Sequence, residues 1–183
     1  GIVAIVCARA TSSRLPGKHF MLSNDRPMLW YLLERLKRVS SISKIVIATT
    51  TNEPDDRFVG FAAENNVEIF RGSEDNVMER VLQAAESFGA EVICEVTGDC
   101  PLIDPELVEQ AIKTYRMNKV DYVNNGRGGL PDGMGAQVYS TDALRRSFAM
   151  TQDPLDLEHE TTSRHSLQFT SARPRKQIGR NLG

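Results

Sequence analysis

Apolar residues recur along this chain in runs whose length and period sort them into strands and helices. The opening stretch, Gly1-Ile-Val-Ala-Ile-Val-Cys-Ala8, is short and continuous. A run with no polar alternate positions predicts a strand covered on both faces, as in a parallel sheet. Lys44–Thr50 has the same character, and shorter runs at Val67–Phe70, Glu91–Val96, Asp121–Val123 and Gln137–Ser140 predict further strands. Between them the apolar spacing lengthens to that of a helix. Leu29, Leu32, Leu33 and Leu36 form one stripe of a helix that opens at Pro27 and runs to Val39. Phe58, Phe61 and Ala62 mark a second helix over Pro54–Asn66. A third spans Asp75–Phe88 and ends at Gly89, a residue free to take the left-handed turn that closes a helix. Asp104 caps a fourth, with Pro105 at its first position and Met117 near its end. Thr141 is expected to cap a fifth reaching Met150, with a further helical stretch at Asp156–Arg164.

Strands alternating with helices predict an α/β fold with a mainly parallel, mixed sheet between helical layers. In such sheets the loops leaving the carboxyl ends of the strands share one edge, and ligands bind there. The loops after Ala8, Thr50, Phe70 and Val96 should therefore meet. Residues 1–172 read as one domain, and Arg173–Gly183 as a basic tail poor in apolar groups.

Composition then narrows the function classes. The chain has 183 residues and a net charge of −2, so it fills one domain and has no general attraction for nucleic acid or an anionic membrane. No apolar run approaches the roughly 18 residues of a membrane span. Cys7, Cys94 and Cys100 include no Cys-x-x-Cys pair, so neither a zinc site nor a disulfide framework is expected. A reducing compartment, the cytoplasm, fits that usage.

Two polar loops carry the chemistry. The first strand is followed at once by Arg9-Ala-Thr-Ser-Ser-Arg-Leu-Pro-Gly-Lys18, with cations at Arg9, Arg14 and Lys18 and hydroxyls at Thr11, Ser12 and Ser13. A triphosphate carries about four negative charges and needs cations and hydrogen-bond donors converging from one loop. Arg9 and Lys18 at the two ends of a folded loop can clamp it, with Ser12 and backbone N–H groups on the phosphate oxygens. The loop is not a P-loop, because Ser12 stands where that pattern needs Gly and His19 where it needs Ser or Thr. A dinucleotide fingerprint is absent too. The second loop, Thr97-Gly-Asp-Cys-Pro-Leu-Ile-Asp104, follows another buried strand. Asp99 there is placed to hold Mg2+, which binds one or two carboxylates together with phosphate oxygens.

The pair of motifs, Ala8-Arg9-x-x-Ser12-x-Arg14-Leu15-Pro16-Gly17-Lys18 and Thr97-Gly98-Asp99-Cys100-Pro101-Leu102-Ile103, resembles the cytidylyltransferase family. Within it the branch of spore-coat polysaccharide biosynthesis and acylneuraminate activation is most similar. The resemblance covers residues 2–165 and includes Ile47–Asn52, Phe70–Asp75 and Pro131–Gly133. It implies a nucleotide-diphospho-sugar transferase fold. It also implies Mg2+-dependent transfer of CMP from CTP to a sugar acid, with pyrophosphate leaving. It implies that Arg9, Ser12, Ser13, Arg14 and Lys18 hold the triphosphate, that Arg71 and Thr97 lie by the nucleotide, and that Asp99 binds the metal. Relatives are commonly homodimers, and Tyr122, Val138, Tyr139 and Phe148 stand in the region expected to contribute, although core packing explains them equally well. This chain lacks the late acidic segment that supplies a second metal ligand in the sialate and octulosonate enzymes. Either the chain is incomplete or another carboxylate substitutes, and Asp132 is the candidate, ahead of Glu158 and Glu160. A different acceptor, such as a polyol phosphate, and a non-catalytic nucleotide-binding domain remain as alternatives.

Overall fold

The computed structural model describes residues 1–11, 15–126 and 134–151. Six strands form one sheet: β1 (Ile2–Cys7), β4 (Lys44–Thr50), β5 (Glu68–Gly72), β6 (Val92–Thr97), β7 (Tyr122–Asn124) and β8 (Gln137–Ser140). A separate hairpin pairs β2 (Leu22–Ser23) with β3 (Arg26–Pro27). The helices are α1 (Met28–Leu36), α2 (Arg57–Glu64), α3 (Val77–Ser87), α4 (Pro105–Met117) and α5 (Thr141–Thr151).

The strand order is β5-β4-β1-β6-β8-β7. β5, β4, β1 and β6 run parallel, while β8 is antiparallel to β6 and β7 to β8. The expected mainly parallel, mixed sheet is present. Residue alternation along β1 shows why its apolar run has no polar gaps. Ala4 and Val6 pack with Leu29, Leu32 and Leu33 of α1, Phe58 of α2 and Ile112 of α4. Val3 and Ile5 face the other way, into a second cluster with Val81 and Ala85 of α3 and Leu144 of α5. Both faces of the central strand are thus covered, giving three layers.

The chain path creates a topological switch point. From β1 it moves outward through β4 to β5, then returns across β1 to lay down β6 on the other side. The connections leaving β1 and β6 lie at this switch point, the usual ligand position in such sheets. Both polar motifs leave from these two strands.

Several boundaries differ from the sequence reading for local reasons. The β2–β3 hairpin escaped detection because each strand has only two residues; its turn residues Asn24 and Asp25 take left-handed φ of 47° and 60°. Residues Glu53–Asp56 form a 3-10 turn, so α2 starts at Arg57. Helix α3 starts at Val77 rather than Asp75, capped by Asn76, whose side chain accepts from the Glu79 N–H at 3.0 Å. Ser140 takes the capping role expected of Thr141, accepting from the Ala143 N–H at 3.0 Å, while the Thr141 hydroxyl donates to the Ala90 carbonyl. Asp104 caps α4 as expected, accepting from the Glu106 N–H at 2.8 Å. Gly89 has a φ of 64° past the end of α3, as expected. Val138 and Tyr139 are fully buried within the chain, so core packing rather than an intersubunit surface accounts for them. The expected helix at 156–164 and the tail 173–183 lie outside the described residues, as do Glu158 and Glu160. Among the described residues no helix is long and apolar enough to cross a membrane.

Candidate active site

The first loop is folded back on itself by a short chain of hydrogen bonds. The Ala10 N–H donates to the Asp55 carboxylate at 2.6 Å, and the Gly17 N–H donates to the Ala10 carbonyl at 3.0 Å. Gly17 takes a left-handed φ of 70°, which a residue with a β-carbon adopts only at a cost. The chain then enters a 3-10 turn at Lys18–Phe20. His19 and Phe20 dock that turn on α2, with ring centroids 5.5 and 4.9 Å from the Phe58 ring. The guanidinium of Arg57 lies 3.9 Å over the Phe20 ring and adds a cation–π contact. Anchored on both sides, the turn presents Lys18 toward β6.

The second loop approaches equally closely. The Gly98 N–H donates to the Cys7 carbonyl at 2.8 Å, extending the pairing of β6 with β1 by one residue. Asp99 follows, and its Oδ2 lies 2.7 Å from Lys18 Nζ. Two segments 81 positions apart thus converge on one ion pair above the switch point. Burial alone would push the Asp99 carboxyl up. The Lys18 ammonium, a hydrogen bond from Thr97 and the Asp99 backbone amide outweigh that and hold it below its ordinary value of 3.8. Asp99 is therefore ionised throughout the neutral range. The Thr97 hydroxyl also lies 2.8 Å from Cys100 Sγ.

Arg9 lies two positions after the end of β1 and is exposed. Arg71 is occupied differently. Its Nε donates to the Thr50 carbonyl at 2.8 Å, and its Nη2 donates to the Asn52 carbonyl at 2.9 Å and pairs with Asp56 at 2.7 Å. The guanidinium ties down the loop after β4. Ser12, Ser13, Arg14 and Asp132 lie outside the described residues.

Two participants carried no sequence signal. His19 is only 4% exposed, and its Nδ1 has no hydrogen-bond partner among the described residues. Burial, then the neighbouring Lys18 charge, lowers its pKa to about 4. Asp55 is 1% exposed and reaches across from the loop after β4. Neither lies on an apolar period, and Asp55 is one acid among several in Glu53-Pro-Asp-Asp56.

The arrangement suits a polyanion. Lys18 and Arg9 supply cations, and the half-exposed Asp99 carboxylate supplies an ionised oxygen. That oxygen fits the demand of Mg2+ for hard oxygen ligands. No group of three His, Cys, Asp or Glu side chains able to hold a metal occurs among the described residues, so phosphate oxygens would complete the shell.

The cytidylyltransferase family model matches residues 3–179, and the chain belongs to that family. The spore coat polysaccharide biosynthesis protein SpsF of Bacillus subtilis is 34% identical over 125 residues, 66% of this chain and 52% of that protein. The 3-deoxy-manno-octulosonate cytidylyltransferase of Geobacter sulfurreducens is 34% identical over 117 residues, 64% of this chain and 46% of that protein. A cytidylyltransferase structure from Leptospira borgpetersenii superposes with a TM-score of 0.77 at 29% identity, covering 88% of this chain and 68% of that one. The chain spans about half the length of the two curated relatives.

Proposed function

We propose that this chain transfers CMP from CTP to a sugar acid with release of pyrophosphate, in a Mg2+-dependent reaction. The observation that carries this reading is the Lys18–Asp99 pair above the switch point, a cation and an ionised acid from two distant loops. Membership in the cytidylyltransferase family supports CTP as donor, and the octulosonate enzyme among the relatives supports a sugar acid as acceptor. The family resemblance also supports a cytoplasmic homodimer.

The resting ion pair suits a site awaiting its ligand. An ion pair this exposed is worth at most about 1 kcal/mol, so a polyphosphate displaces it at little cost. Lys18 then turns to the phosphate oxygens, with Arg9 at the other end of the loop and Ser12, Ser13 and Arg14 between them. Asp99, released from Lys18, would hold the metal, with Asp132 as the candidate second carboxylate. Bound Mg2+ supplies charge neutralisation on the phosphates. Thr97 and Arg71 border the nucleotide. The acceptor hydroxyl attacks the α-phosphorus in line, and the new O–P bond forms as the bond to pyrophosphate breaks. Positioning and charge stabilisation supply most of the rate.

Pyrophosphate release measured with each of the four ribonucleoside triphosphates, against sugar acids and polyol phosphates, tests the reading. CTP with a sugar acid should give the highest rate. Lys18→Ala and Asp99→Asn should each lower turnover about a hundredfold or more, because each removes charge stabilisation at the phosphates. Tight CTP binding without release for any acceptor would instead identify a nucleotide-binding domain without catalysis.

A further inference from the structure

We infer that Asp55 is a positioning residue whose buried carboxylate sets the spacing of Arg9 and Lys18, an inference that rests on the nucleotidyltransferase reading. Asp55 Oδ1 accepts from the Ala10 N–H at 2.6 Å. Its Oδ2 accepts from the Thr50 N–H at 3.3 Å and from the Thr50 hydroxyl. The carboxylate is 1% exposed, and no cation pairs with it among the described residues. Burying a charge on hydrogen bonds alone is costly, and any well-placed neutral acceptor could satisfy one loop amide.

The two ends of that hydrogen-bond chain explain the choice of a carboxylate. Ala10 follows Arg9 immediately, and its carbonyl accepts from Gly17, which precedes Lys18 immediately. The Ala10–Gly17 hydrogen bond thus closes a backbone ring flanked by the two cations proposed to clamp a polyphosphate, and Asp55 holds that ring through Ala10. The second oxygen fixes the ring to Thr50 at the end of β4, a strand buried in the sheet. A carboxylate presents acceptors in two directions at once, so it ties loop and sheet together with a single side chain.

Three variants of the full chain test this: Asp55→Ala, Asp55→Asn and Glu109→Ala. Glu109 is the matched control, since its carboxylate also grips a loop, accepting from the Ser41 N–H at 3.1 Å, but before β4 at the opposite edge of the sheet. Kinetics are compared at equal folded fraction, fixed by urea denaturation, and amide hydrogen exchange is followed at Ala10 and Gly17. Misplacing a catalytic loop by about 1 Å costs on the order of a hundredfold in rate. Asp55→Ala should therefore lose on the order of a hundredfold in kcat/KM for CTP, with faster exchange at Gly17. Glu109→Ala should keep wild-type kinetics, and Asp55→Asn, which retains one acceptor, should fall between. Equal kinetics for Asp55→Ala and Glu109→Ala, or unchanged Gly17 exchange, overturns the inference. If Asp55→Ala does not fold, Asp55→Asn decides by the same two readouts. Wild-type protein that neither binds CTP nor releases pyrophosphate refutes the functional reading instead, and exchange at Gly17 then decides the role of Asp55 alone.

Discussion

Gly98 stands where the second site loop packs against the end of β1 and against His19, and adding one methyl group there probes how far the site depends on that approach. A β-carbon at this position would lie 2.9 Å from Ala8 Cβ, 3.0 Å from the Cys7 carbonyl oxygen and 3.1 Å from His19 Cδ2. Carbon pairs normally rest about 3.5–4.0 Å apart, so the Ala8 contact alone demands a shift of roughly 0.6 Å or more. Neither of the first two neighbours can swing aside: Ala8 Cβ has no rotamer, and the Cys7 carbonyl belongs to β1. The hydrogen bond from Gly98 N–H to Cys7, 2.8 Å long, must stretch instead. Overpacking of this kind costs about 1–3 kcal/mol. Gly98 is not in the left-handed region, so alanine adds no backbone strain and stiffens the unfolded chain, which offsets about 0.4–1 kcal/mol. Gly98→Ala should therefore lose about 1–2 kcal/mol in urea denaturation. Turnover should fall by about tenfold or more even at full folding, because Asp99 moves with its neighbour. Gly60→Ala is the control: nothing lies within 4 Å of a β-carbon there, and Gly60 sits inside α2. It should gain about 0.5–1 kcal/mol from helix propensity and leave turnover unchanged. A Gly98→Ala protein with the wild-type midpoint and wild-type turnover would refute the argument that this contact sets the site.

Acid should weaken the fold through His19. Its pKa falls from 6.5 to about 4 on folding, so the unfolded chain binds more protons between those values, and stability declines as pH drops through that window. The loss at pH 5 relative to pH 8 is about 2 kcal/mol, and it should vanish in His19→Gln; equal pH slopes for variant and wild type would contradict it. Arg71→Ala removes donors to the Thr50 and Asn52 carbonyls and should cost about 1–3 kcal/mol, measured by urea denaturation. Arg71→Lys, which keeps the charge but not the planar fork, should recover little of that.

Elements with strong periods were legible from the sequence, and elements held by distant contacts were not. The leucine stripe of α1, the capping of α4 by Asp104 and the unbroken apolar run of β1 are local signals, and each predicts its element. Helix α2 is legible as a helix, yet its first turn is 3-10, because Asp55 turns inward to reach Ala10, 45 positions away. The Thr141 hydroxyl was read as a cap because threonine suits that role, but the Ala90 carbonyl, 51 positions back, takes its proton. The same division runs through the site. Lys18 and Asp99 are legible as candidates because charged residues in loops that leave buried strands are conspicuous. His19 was not, since its burial depends on Phe58 and Gly98 arriving from elsewhere.

That division has a physical consequence for how the site is built. The charged groups proposed to meet a ligand are exposed or half-exposed: Arg9, Lys18 and Asp99 all keep contact with water. Taken alone, their mutual attraction is worth too little to hold two loops in register, given an exposed pair near 1 kcal/mol at most. What holds the register is buried and largely uncharged: the Gly98–Cys7 hydrogen bond, the edge of His19 against Phe58, and the Ala10 amide on the enclosed Asp55 carboxylate. Shape and hydrogen bonding fix where the loops stand, which would leave Lys18 and Asp99 free to exchange partners on binding the proposed polyphosphate and metal. A site whose geometry depended on that ion pair would lose its form at the moment of binding. On the proposed reading this one would keep it, because the groups that do the positioning are not the groups proposed to meet the ligand.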